Sequence, residues 1–569
     1  MGKIPILITE PIHPEGIKRL KKHFLIKEKD DVMNGIQAII TRSNTPVGEI
    51  FLGNFPKLQL VARAGIGVDG VDLALCQKKD ITVINAPTGN AQAASEHTIG
   101  LIFNLFRKII PADKKLREGI WGKNIYTGEC LQGKTLGIIG LGRVGSRVAK
   151  KVEALGMKVI VYDPFKPKTK KYRFTDLTTL LTHSDVITLH TPLTYWTENF
   201  IDQMLLYLTG KNPYLINCAR GKIVNERDLI VALKKKTIKG AALDVYAEEP
   251  LAHTQFNEME NVVLTPHLGA ATVESQKATA EETVKGIENY FFQNKKMNVV
   301  TYIDRKDLSW CGFERIIFDV DSTLCCIEGI DELSRMNDKE KEVAELTHLA
   351  MGGKIKYEDV FARRLELSQP SRENIKKLGK LYYKTVLPEA KALLKILQAL
   401  GLEIILFSGS YKLALERLCT DLAIPPKNVY ANDLYFDQKG NYRGFNEQNP
   451  LCQTGGKRVV ANSLSKKTTV VIGDSATDLD AKDVVDLFIG FGGVVQREKI
   501  KMAADVYIQK HLLATLPVII GSSGCERLKE TAWKVNLFDS LYYLFQTENI
   551  FRNSFQKQIE NMKLYFQCS

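Results

Sequence analysis

An apolar strand that runs directly into two carboxylates, one residue apart, constrains this chain more than any other feature. Residues 316–318 (Ile-Ile-Phe) precede Asp319 and Asp321, and strand alternation points the two acids to the same side. Acids crowded at the mouth of a buried strand repel each other unless a cation or phosphate chemistry occupies the site. Because Ser322-Thr323 follow a well-formed strand, we favour Mg²⁺-dependent phosphoryl transfer over a solvated pair of turn acids.

Three further apolar strands in this half of the chain also end in polar groups. They lead to Ser408-Gly409, Asp474 and Gly490. In an open α/β sheet the site lies at the carboxyl ends of the strands, so these groups should meet the acid pair. Ser408-Gly409 offers a hydroxyl and backbone donors to a phosphate, and Lys457 offers a cation against its charge. Asp474 supplies a third carboxylate on the metal side.

These motifs, in this order, resemble the haloacid dehalogenase-type phosphatases over about residues 313–512. Within that family, residues 328–333 are similar to the members that hydrolyse phosphoserine. The resemblance implies that Asp319 is a nucleophile that forms an aspartyl-phosphate, and that Asp321 protonates the leaving serine and then activates water. It also implies that Mg²⁺ is held by Asp319, Asp474 and the backbone carbonyl of Asp321.

The same resemblance implies a helical cap over about residues 328–390 that binds the amino-acid part of the substrate. A carboxylate at Glu328 would face the ammonium group, and Arg364 would face the carboxylate. Ser410 and Ser475 stand where glycine is commoner in the family, a departure that bears on loop geometry and turnover but not on mechanism. The substrate-binding residues implied by the family are Glu328, Met351, Gly352, Arg364, Ser408, Gly409, Lys457, Thr477 and Arg497.

The first part of the chain, residues 3 to about 94, alternates short apolar runs with helix-like stretches such as residues 14–23. This βα pattern predicts another parallel sheet. Arg63 stands at a strand end before Ala64-Gly65, where a guanidinium and backbone N–H groups can both approach an anion. We interpret Arg63 as a candidate ligand for a phosphate or carboxylate; a surface arginine in a glycine-rich turn is the alternative.

A dinucleotide-binding pattern follows. Apolar residues 135–139 lead into the sequence Gly140-x-Gly142-x-x-Gly145 and the start of a helix. The glycines permit a tight turn, and the helix N-terminus faces a pyrophosphate. The next strand ends in Asp163, at the spacing where an acid accepts hydrogen bonds from the ribose hydroxyls. Since an acid there repels a 2′-phosphate, the pattern favours NAD over NADP.

Three later stretches, each after an apolar strand, contain Arg220, Glu249 and His267. His267 is a natural proton acceptor for a hydroxyl whose carbon loses hydride, Glu249 would orient it, and Arg220 would clamp a carboxylate. Each residue taken singly has a structural explanation. Together, behind a nucleotide fingerprint, they resemble the Arg, Glu and His of the D-2-hydroxyacid dehydrogenases.

That second resemblance covers about residues 3–305, and the Arg63 loop is similar to that of members that oxidise 3-phosphoglycerate. It implies two Rossmann-like domains, residues 1–95 with 283–301 and an NAD-binding domain at 96–282, and a homodimer formed through this half. It implies substrate contacts at Arg63, Ala64 and Gly65. The implied cofactor contacts are Gly140, Gly142, Arg143, Val144, Gly145, Asp163, Thr191, Cys218, Ala219, Arg220, Asp244 and His267.

Composition excludes several other classes of protein. A net charge of +13 could indicate a nucleic-acid partner, but Lys and Arg are spread along the chain and no basic run is interleaved with aromatics. No run of about 18 apolar residues could cross a membrane, and the N-terminus lacks a signal peptide, so we expect a cytoplasmic protein. The 10 cysteines are scattered without a Cys-x-x-Cys pair, which predicts reduced thiols.

The two resemblances imply a bifunctional enzyme of serine biosynthesis. It has two Rossmann-like dehydrogenase domains followed by a haloacid dehalogenase-like α/β domain with a helical cap, joined by a linker at 302–312. The intervening step would need a separate phosphoserine aminotransferase. Residues 521–569 match neither family, and their apolar spacing predicts one amphipathic helix around 533–545. Three alternatives stay open: another 2-hydroxy acid as substrate, a general small-phosphate hydrolase, or one half as an inactive scaffold.

Overall fold

The computed structural model describes residues 3–27, 35–165, 171–351, 356–546, 548–552 and 554–568, without the side chains of residues 347–351 and 554. The chain divides into two compact units, Met1–Leu308 with Tyr565–Ser569, and Ser309–Leu564. Both are built on parallel sheets covered by helices, so the predicted α/β fold class is confirmed.

A five-stranded parallel sheet begins the first unit. Its apolar strands are buried because helices cover both faces, as parallel sheets require. Its strands are β1 (Ile4–Ile8), β2 (Phe24–Lys27), β3 (Ala38–Thr41), β4 (Leu60–Arg63) and β5 (Thr82–Asn85), in the order β2-β1-β3-β4-β5. The helices of this part are α1 (Pro14–His23), α2 (Glu49–Gly53) and α3 (Leu73–Lys78).

A seven-stranded parallel sheet forms the rest of this unit. Its strands are β6 (Thr135–Ile139), β7 (Lys158–Tyr162), β8 (Arg173–Phe174), β9 (Val186–Leu189), β10 (Tyr214–Asn217), β11 (Gly240–Leu243) and β12 (Val262–Leu264). Its helices are α4 (Ala91–Arg107), α5 (Ile109–Arg117), α6 (Arg143–Ala154), α7 (Leu177–His183), α8 (Gln203–Tyr207) and α9 (Glu226–Lys234), while α10 (Val273–Phe292) packs on the five-stranded sheet. The strand order β12-β11-β10-β9-β6-β7-β8 reverses direction beside β6, and ligands bind at such a switch point.

Two long helices cross the predicted domain boundaries. The boundaries at 95/96 and 282/283 fall inside α4 and α10, which are continuous. The second half of α10 packs Val284 and Ile287 into the core of the five-stranded sheet, and the Val300 N–H then donates to the Val83 carbonyl at 2.9 Å. Each predicted boundary therefore lies inside a single helix, and no local sequence signal marks a break there.

The second unit has a seven-stranded sheet of order β15-β14-β13-β18-β19-β20-β21, in which only the pair β20–β21 is antiparallel among the described strands. The strands are β13 (Arg315–Asp319), β14 (Glu403–Tyr411), β15 (Val429–Asn432), β18 (Thr469–Gly473), β19 (Leu487–Phe491), β20 (Val506–Ile508) and β21 (Ile550–Phe551), with a separate hairpin of β16 (Leu434–Phe436) and β17 (Tyr442–Phe445). The order reverses between β13 and β18, so their carboxyl ends define the site.

Helices surround this sheet and form the predicted cap. The cap helices are α11 (Gly329–Met336), α12 (Glu340–Met351), α13 (Tyr357–Ser368) and α14 (Arg372–Thr385). The other helices are α15 (Pro388–Ala399), α16 (Lys412–Asp421), α17 (Gly456–Ser463), α18 (Ala476–Leu479), α19 (Glu498–Ala503), α20 (Leu516–Lys529), α21 (Lys534–Leu544) and α22 (Ser554–Gln567).

The C-terminal extension contains more structure than the one predicted helix. Helix α21 matches the prediction, but α20 starts before residue 521 and bends at Gly521, where φ is +69°. Strand β21 then pairs with β20. Its two residues are too few to show alternation, so the sequence pattern could not reveal it. Within the described residues, none of the helices combines the length and apolarity that a bilayer crossing requires.

Candidate active sites

The turn between β6 and α6 has the backbone shape of a nucleotide cradle. Gly140 has a φ of +94°, and a Cβ on Gly145 would lie 2.2 Å from the Gly140 carbonyl oxygen, so neither position admits a side chain. Helix α6 has Gly142 as its N-cap, and no side chain among the described residues caps it. A Cβ built on Gly142 would have none of the described atoms within 4 Å, so the space in front of the helix is open. The free N–H groups at this helix start therefore fit a pyrophosphate.

Asp163 lies directly beside that turn. Its Oδ2 accepts a hydrogen bond from the Leu141 N–H at 2.9 Å and its Oδ1 from the Phe165 N–H at 3.1 Å. The carboxylate is thus fixed at the end of β7, where a ribose would lie. The Thr191 hydroxyl, another predicted cofactor contact, is buried and has no hydrogen-bond partner among the described residues. The thiol of Cys218, also a predicted cofactor contact, has a pKa that burial raises to about 12.

The other predicted cofactor residues lie along the same edge of the sheet. Arg143 and Val144 begin α6, Asp244 follows β11, and the loop after β10 carries Ala219 and Arg220. The side chain of Asn217 shapes that loop, because its Oδ1 accepts from the Ala219 N–H at 3.0 Å and its amide donates to the Arg220 carbonyl at 2.9 Å. The strand ends therefore bring distant stretches of the sequence to one edge.

His267 and Glu249 form a direct pair. The His267 Nδ1 lies 2.7 Å from Glu249 Oε2, and Glu249 Oε1 accepts from the Tyr246 N–H at 3.0 Å. The glutamate is fixed by the backbone and fixes the imidazole in turn, which leaves His267 Nε2 for a substrate hydroxyl. The imidazole is half-exposed, as access for a small substrate requires.

Asp244 holds the segment that carries His267. The fully buried carboxylate accepts hydrogen bonds from the N–H groups of Leu268 and Gly269, at 2.7 and 2.8 Å, and from the Thr265 hydroxyl at 2.6 Å. His97 Nε2 lies 3.1 Å from the same carboxylate. Burial would raise the pKa of Asp244, but the hydrogen bonds from these groups lower it. Sequence reasoning missed His97, which stands alone on α4 without a motif.

Two arginines predicted to bind substrate both contact the loop of residues 63–69. Arg63 Nε donates to the Gly67 carbonyl at 2.9 Å, while its Nη1 is buried and has no hydrogen-bond partner within the described part of the chain. Burial lowers the pKa of Arg63. Arg220 Nε donates to Asp69 Oδ2 at 2.7 Å, so the predicted carboxylate clamp is held by an acid from the Arg63 loop.

A cavity of about 190 Å³ opens beside Ala64 and Gly65, and Arg42 and Asn90 also line it. Sequence reasoning missed Arg42. It follows β3 directly, and Arg63 is the last residue of the neighbouring strand β4. Because the carboxyl ends of neighbouring parallel strands meet at one edge, the strand pattern could have indicated Arg42.

In the second unit, three buried carboxylates converge at the end of β13. Oxygens of Asp319, Asp474 and Asp478 lie within 4.8 Å of one another. Lys457 Nζ donates to Asp319 at 2.8 Å and to Asp478 at 2.5 Å, and Arg497 Nε donates to Asp474 at 2.9 Å. Burial and the charge of Asp478 raise the pKa of Asp319 well above its usual range and that of Asp474 to about 6.

This donor set fits Mg²⁺, a hard cation that takes oxygen ligands, and a divalent charge would relieve the repulsion among the acids. Asp478 was not among the predicted metal ligands. It stands four residues after Asp474, in the short helix α18 that starts two residues after Asp474, and the sequence displays this spacing. Burial would lower the pKa of Lys457, but Asp319 and Asp478 raise it, so the ammonium stays charged.

The side chain of Asp321 lies outside that cluster of three acids. Its Oδ1 accepts from the Gly329 N–H at 2.7 Å and the Tyr382 hydroxyl at 2.6 Å, and its Oδ2 accepts from the Ser408 hydroxyl at 3.1 Å. Burial raises the pKa of Asp321. The predicted metal contact uses the backbone carbonyl of Asp321 and does not depend on these hydrogen bonds; sequence reasoning missed Tyr382.

A cavity of about 690 Å³ lies over these acids. Glu328 accepts from Ser322 Oγ at 2.8 Å and Arg497 Nη2 at 3.0 Å, and burial is the main cause that raises its pKa to about 8. Arg364 has a buried Nε without a hydrogen-bond partner among the described residues. Gly352 and the side chain of Met351 lie outside the described residues. Predicted substrate residues that line the cavity are Glu328, Arg364, Gly409, Lys457, Thr477 and Arg497.

Two family models match this chain. Residues 99–269 match the NAD-binding domain of the D-isomer specific 2-hydroxyacid dehydrogenases. Residues 313–481 match the haloacid dehalogenase-like hydrolases. The two matches fall on the seven-stranded sheet of the first unit and on the second unit, where the two sites lie.

Curated relatives match the first unit. The chain is 36% identical over 310 residues to D-3-phosphoglycerate dehydrogenase of Methanocaldococcus jannaschii, covering 52% of this chain and 59% of that protein. It is 37% identical over 288 residues to the enzyme of the same name from Bacillus subtilis, covering 49% and 55%. The chain thus spans little more than half the length of either relative. A glyoxylate reductase from Paecilomyes thermophila shares the fold, with a TM-score of 0.50, 22% identity and coverage of 53% and 99%.

Proposed function

We propose that this chain, which contains an NAD-binding domain of the 2-hydroxyacid dehydrogenase type and a haloacid dehalogenase-like hydrolase domain, is a bifunctional enzyme of serine biosynthesis. The first unit oxidises 3-phosphoglycerate to 3-phosphohydroxypyruvate with NAD. The second unit hydrolyses phosphoserine to serine and phosphate with Mg²⁺. The observation that carries the proposal is the presence of one complete catalytic set in each unit, the His267–Glu249 pair and the acid cluster around Asp319.

In the first reaction His267 acts as the base. Its Nε2 takes the proton of the substrate hydroxyl as the carbon that bears it loses a hydride and becomes a carbonyl. When bound, NAD supplies the hydride acceptor. Glu249 holds the imidazole at 2.7 Å and stabilises the imidazolium that forms. Arg220, oriented by Asp69, pairs with the substrate carboxylate.

A phosphate on the substrate fits the surroundings of the Arg63 loop. Arg63 has a buried Nη1 that lacks a hydrogen-bond partner among the described residues, and a buried donor of this kind is costly unless a ligand satisfies it. Arg42 lines the cavity next to Gly65, whose backbone can approach an anion. The curated relatives carry the name of an enzyme for such a substrate. These observations favour 3-phosphoglycerate over an unphosphorylated 2-hydroxy acid.

In the second reaction Asp319 attacks phosphorus and forms an aspartyl-phosphate while the bond from phosphorus to the serine oxygen breaks. Asp321 gives its proton to that oxygen, and serine leaves. A water then attacks the aspartyl-phosphate, Asp321 takes its proton, and phosphate is released with Asp319 restored. Lys457 balances charge at the nucleophile, 2.8 Å from Asp319. When bound, Mg²⁺ supplies further positive charge against the phosphoryl oxygens.

Phosphoserine suits the charges around the larger cavity. Glu328 offers an acceptor for the substrate ammonium, and Arg364 offers a guanidinium whose Nε has no partner in the described part of the protein, for the substrate carboxylate. A general small-phosphate hydrolase would have no use for a carboxyl group and a guanidinium in the same cavity. The proposal therefore includes the amino acid as well as the phosphate.

The first unit also exposes apolar side chains in one stretch of sequence, on α5 and the loop after it. Trp121 is 81% exposed and Ile125 68% exposed, values that are unfavourable in water unless a partner covers them. We propose a homodimer formed through this half, and a cytoplasmic enzyme that is linked functionally to a separate phosphoserine aminotransferase. The exposed apolar residues of this stretch are Ile109, Ile110, Leu116, Ile120, Trp121 and Ile125.

Reconstitution of the pathway tests the whole proposal. The purified chain should form NADH with 3-phosphoglycerate faster than with lactate or glycerate, and should release phosphate from phosphoserine when Mg²⁺ is present. Given 3-phosphoglycerate, NAD, Mg²⁺ and glutamate, it should make no serine, because neither proposed reaction transfers an amino group from glutamate to the keto acid. Added phosphoserine aminotransferase should start serine formation and draw the oxidation forward. Serine formed without it would contradict this division of the chain.

Replacing Asp163 by alanine should relax the preference for NAD over NADP. The change removes an acceptor for the ribose hydroxyls and a charge that repels a 2′-phosphate, so the ratio of kcat/KM values should fall about 10- to 100-fold. Asp163→Asn is the matched variant for turn geometry, since it keeps an oxygen for the Leu141 N–H while it removes the charge and the acceptor for the Phe165 N–H. An unchanged ratio in both variants would show that Asp163 does not contact the ribose.

A further inference from the structure

The carboxyl group of Asp321 is held in part by the cap. Tyr382, on the last cap helix α14, places its hydroxyl 2.6 Å from Asp321 Oδ1. The same hydroxyl lies 2.8 Å from Ser410 Oγ at the end of β14. The Ser410 N–H donates to Ser408 Oγ at 3.0 Å, and Ser408 donates to Asp321 Oδ2 at 3.1 Å. Four residues thus form a closed ring of hydrogen bonds around one carboxyl group.

The hydrogen atoms in this ring can be assigned by counting. A phenol has one O–H, so Tyr382 cannot donate to both neighbours. The carboxylate is the stronger acceptor and lies closer, so the Tyr382 hydrogen goes to Asp321 Oδ1. Ser410 then supplies the hydrogen between the two hydroxyls. Ser410 therefore fixes the rotation of the Tyr382 O–H, and Tyr382 fixes one oxygen of Asp321.

The groups packed around Tyr382 hold its hydroxyl in this position. Tyr382 is fully buried, and burial raises the pKa of its phenol, which therefore keeps its proton. A Cβ on Gly329 would lie 2.2 Å from the Tyr382 oxygen and 2.7 Å from Ser410 Oγ, so the backbone of α11 closes the remaining space. The Gly329 N–H donates to the same Asp321 Oδ1 at 2.7 Å. Oδ1 thus takes two donors, and Oδ2 takes one.

We propose that Tyr382 and Ser410 are positioning residues that hold Asp321 Oδ1 as an acceptor and so leave Oδ2 to exchange the proton with the substrate. The inference rests on the proposed phosphatase function. In the first step the proton passes from Oδ2 to the leaving oxygen as its bond to phosphorus breaks and the bond from Asp319 forms. In the second step Oδ2 takes a proton from the attacking water.

A comparison of leaving groups tests this role. An alkoxide such as that of serine must be protonated as it leaves, whereas p-nitrophenolate leaves without a proton. Tyr382→Phe keeps the ring and removes the hydroxyl, so it should lower kcat for phosphoserine about 10- to 100-fold, the range for loss of a hydrogen bond to a charged group. The rate constant of the first turnover, in which the aspartyl-phosphate forms, should fall likewise for phosphoserine, whereas the first-turnover release of p-nitrophenolate from p-nitrophenyl phosphate should change by less than about 3-fold, because that step needs no proton from Asp321.

Two further variants isolate the chain of contacts. Ser410→Ala should show the same contrast between substrates to a smaller degree, and the double variant should be no slower than Tyr382→Phe alone, because Ser410 acts through Tyr382. Tyr383→Phe is the matched control. It removes the same hydroxyl from the next residue of α14, whose ring faces Lys391 and Arg417, and it should leave both activities unchanged.

The outcomes separate this inference from the proposed function. An equal loss in the first-turnover rate constants of both substrates in Tyr382→Phe would show a structural role and overturn the inference, as would an unchanged first-turnover rate constant for phosphoserine or additive effects of the two substitutions. If the wild-type chain does not hydrolyse phosphoserine, the proposed substrate is wrong. The contrast with p-nitrophenyl phosphate is then measured with glycerol 2-phosphate, which is also an alkyl ester. A chain that hydrolyses no phosphate monoester would overturn both.

Discussion

Asp319→Asn should abolish phosphoserine hydrolysis, with kcat falling by about four decades or more, as for removal of a nucleophile. An amide nitrogen or oxygen cannot form the acyl-phosphate through which the proposed reaction passes. The fold should survive the change. Asparagine has nearly the same shape, and it removes one charge from a cluster of acids in which repulsion and burial already raise the pKa of Asp319. Lys457 keeps a carboxylate partner in Asp478.

Phosphate release measures this loss, and the other activity of the same molecule provides an internal control. NADH formation by Asp319→Asn should equal that of the wild type, because the nucleophile and the dehydrogenase site belong to different compact units with separate cores. Asp483→Asn, which changes an exposed carboxylate of the second unit, should hydrolyse phosphoserine at the wild-type rate. Mg²⁺-dependent hydrolysis by Asp319→Asn near the wild-type rate would refute the nucleophile assignment.

The sequence predicted best those residues that stand at the ends of apolar strands. Asp319 ends β13 and Asp474 follows β18, and these two strands are neighbours in the sheet, so simple topology brings the acids together. The tight glycine turn after β6 could also be predicted from the sequence, because Gly140 adopts a φ that other residues avoid. In these cases a local pattern of apolar residues, glycines and acids carries the information.

Residues that act from helices were not predictable in this way. Tyr382 reaches Asp321 across 61 positions of sequence, and His97 reaches Asp244 across 147. Both stand in amphipathic helices, where one more polar side chain has no distinguishing spacing. Their contacts depend on how the cap and α4 pack, which is decided by the whole core. The same reason explains why β21 and the continuous α10 escaped prediction.

His267→Ala should lower the rate of 3-phosphoglycerate oxidation by two to four decades, the range for loss of an acid–base group. The imidazole is the only side chain among the described residues that pairs with Glu249, and its Nε2 is the proposed proton acceptor. NAD binding should stay close to that of the wild type. The cradle at Gly140 and the carboxylate of Asp163 are built by β6, α6 and β7 and do not depend on His267.

The backbone at this position requires a second variant. His267 has a φ of +54°, a conformation that asparagine tolerates better than alanine, so His267→Asn separates the loss of the base from any shift of the loop. The two variants should oxidise 3-phosphoglycerate equally slowly and bind NAD alike when titrated by the change in protein fluorescence. His253→Ala, at an exposed histidine of the preceding loop, should be as active as the wild type. Oxidation at the wild-type rate by either His267 variant would mean that another group accepts the proton, and the Glu249 pair would then have only a structural role.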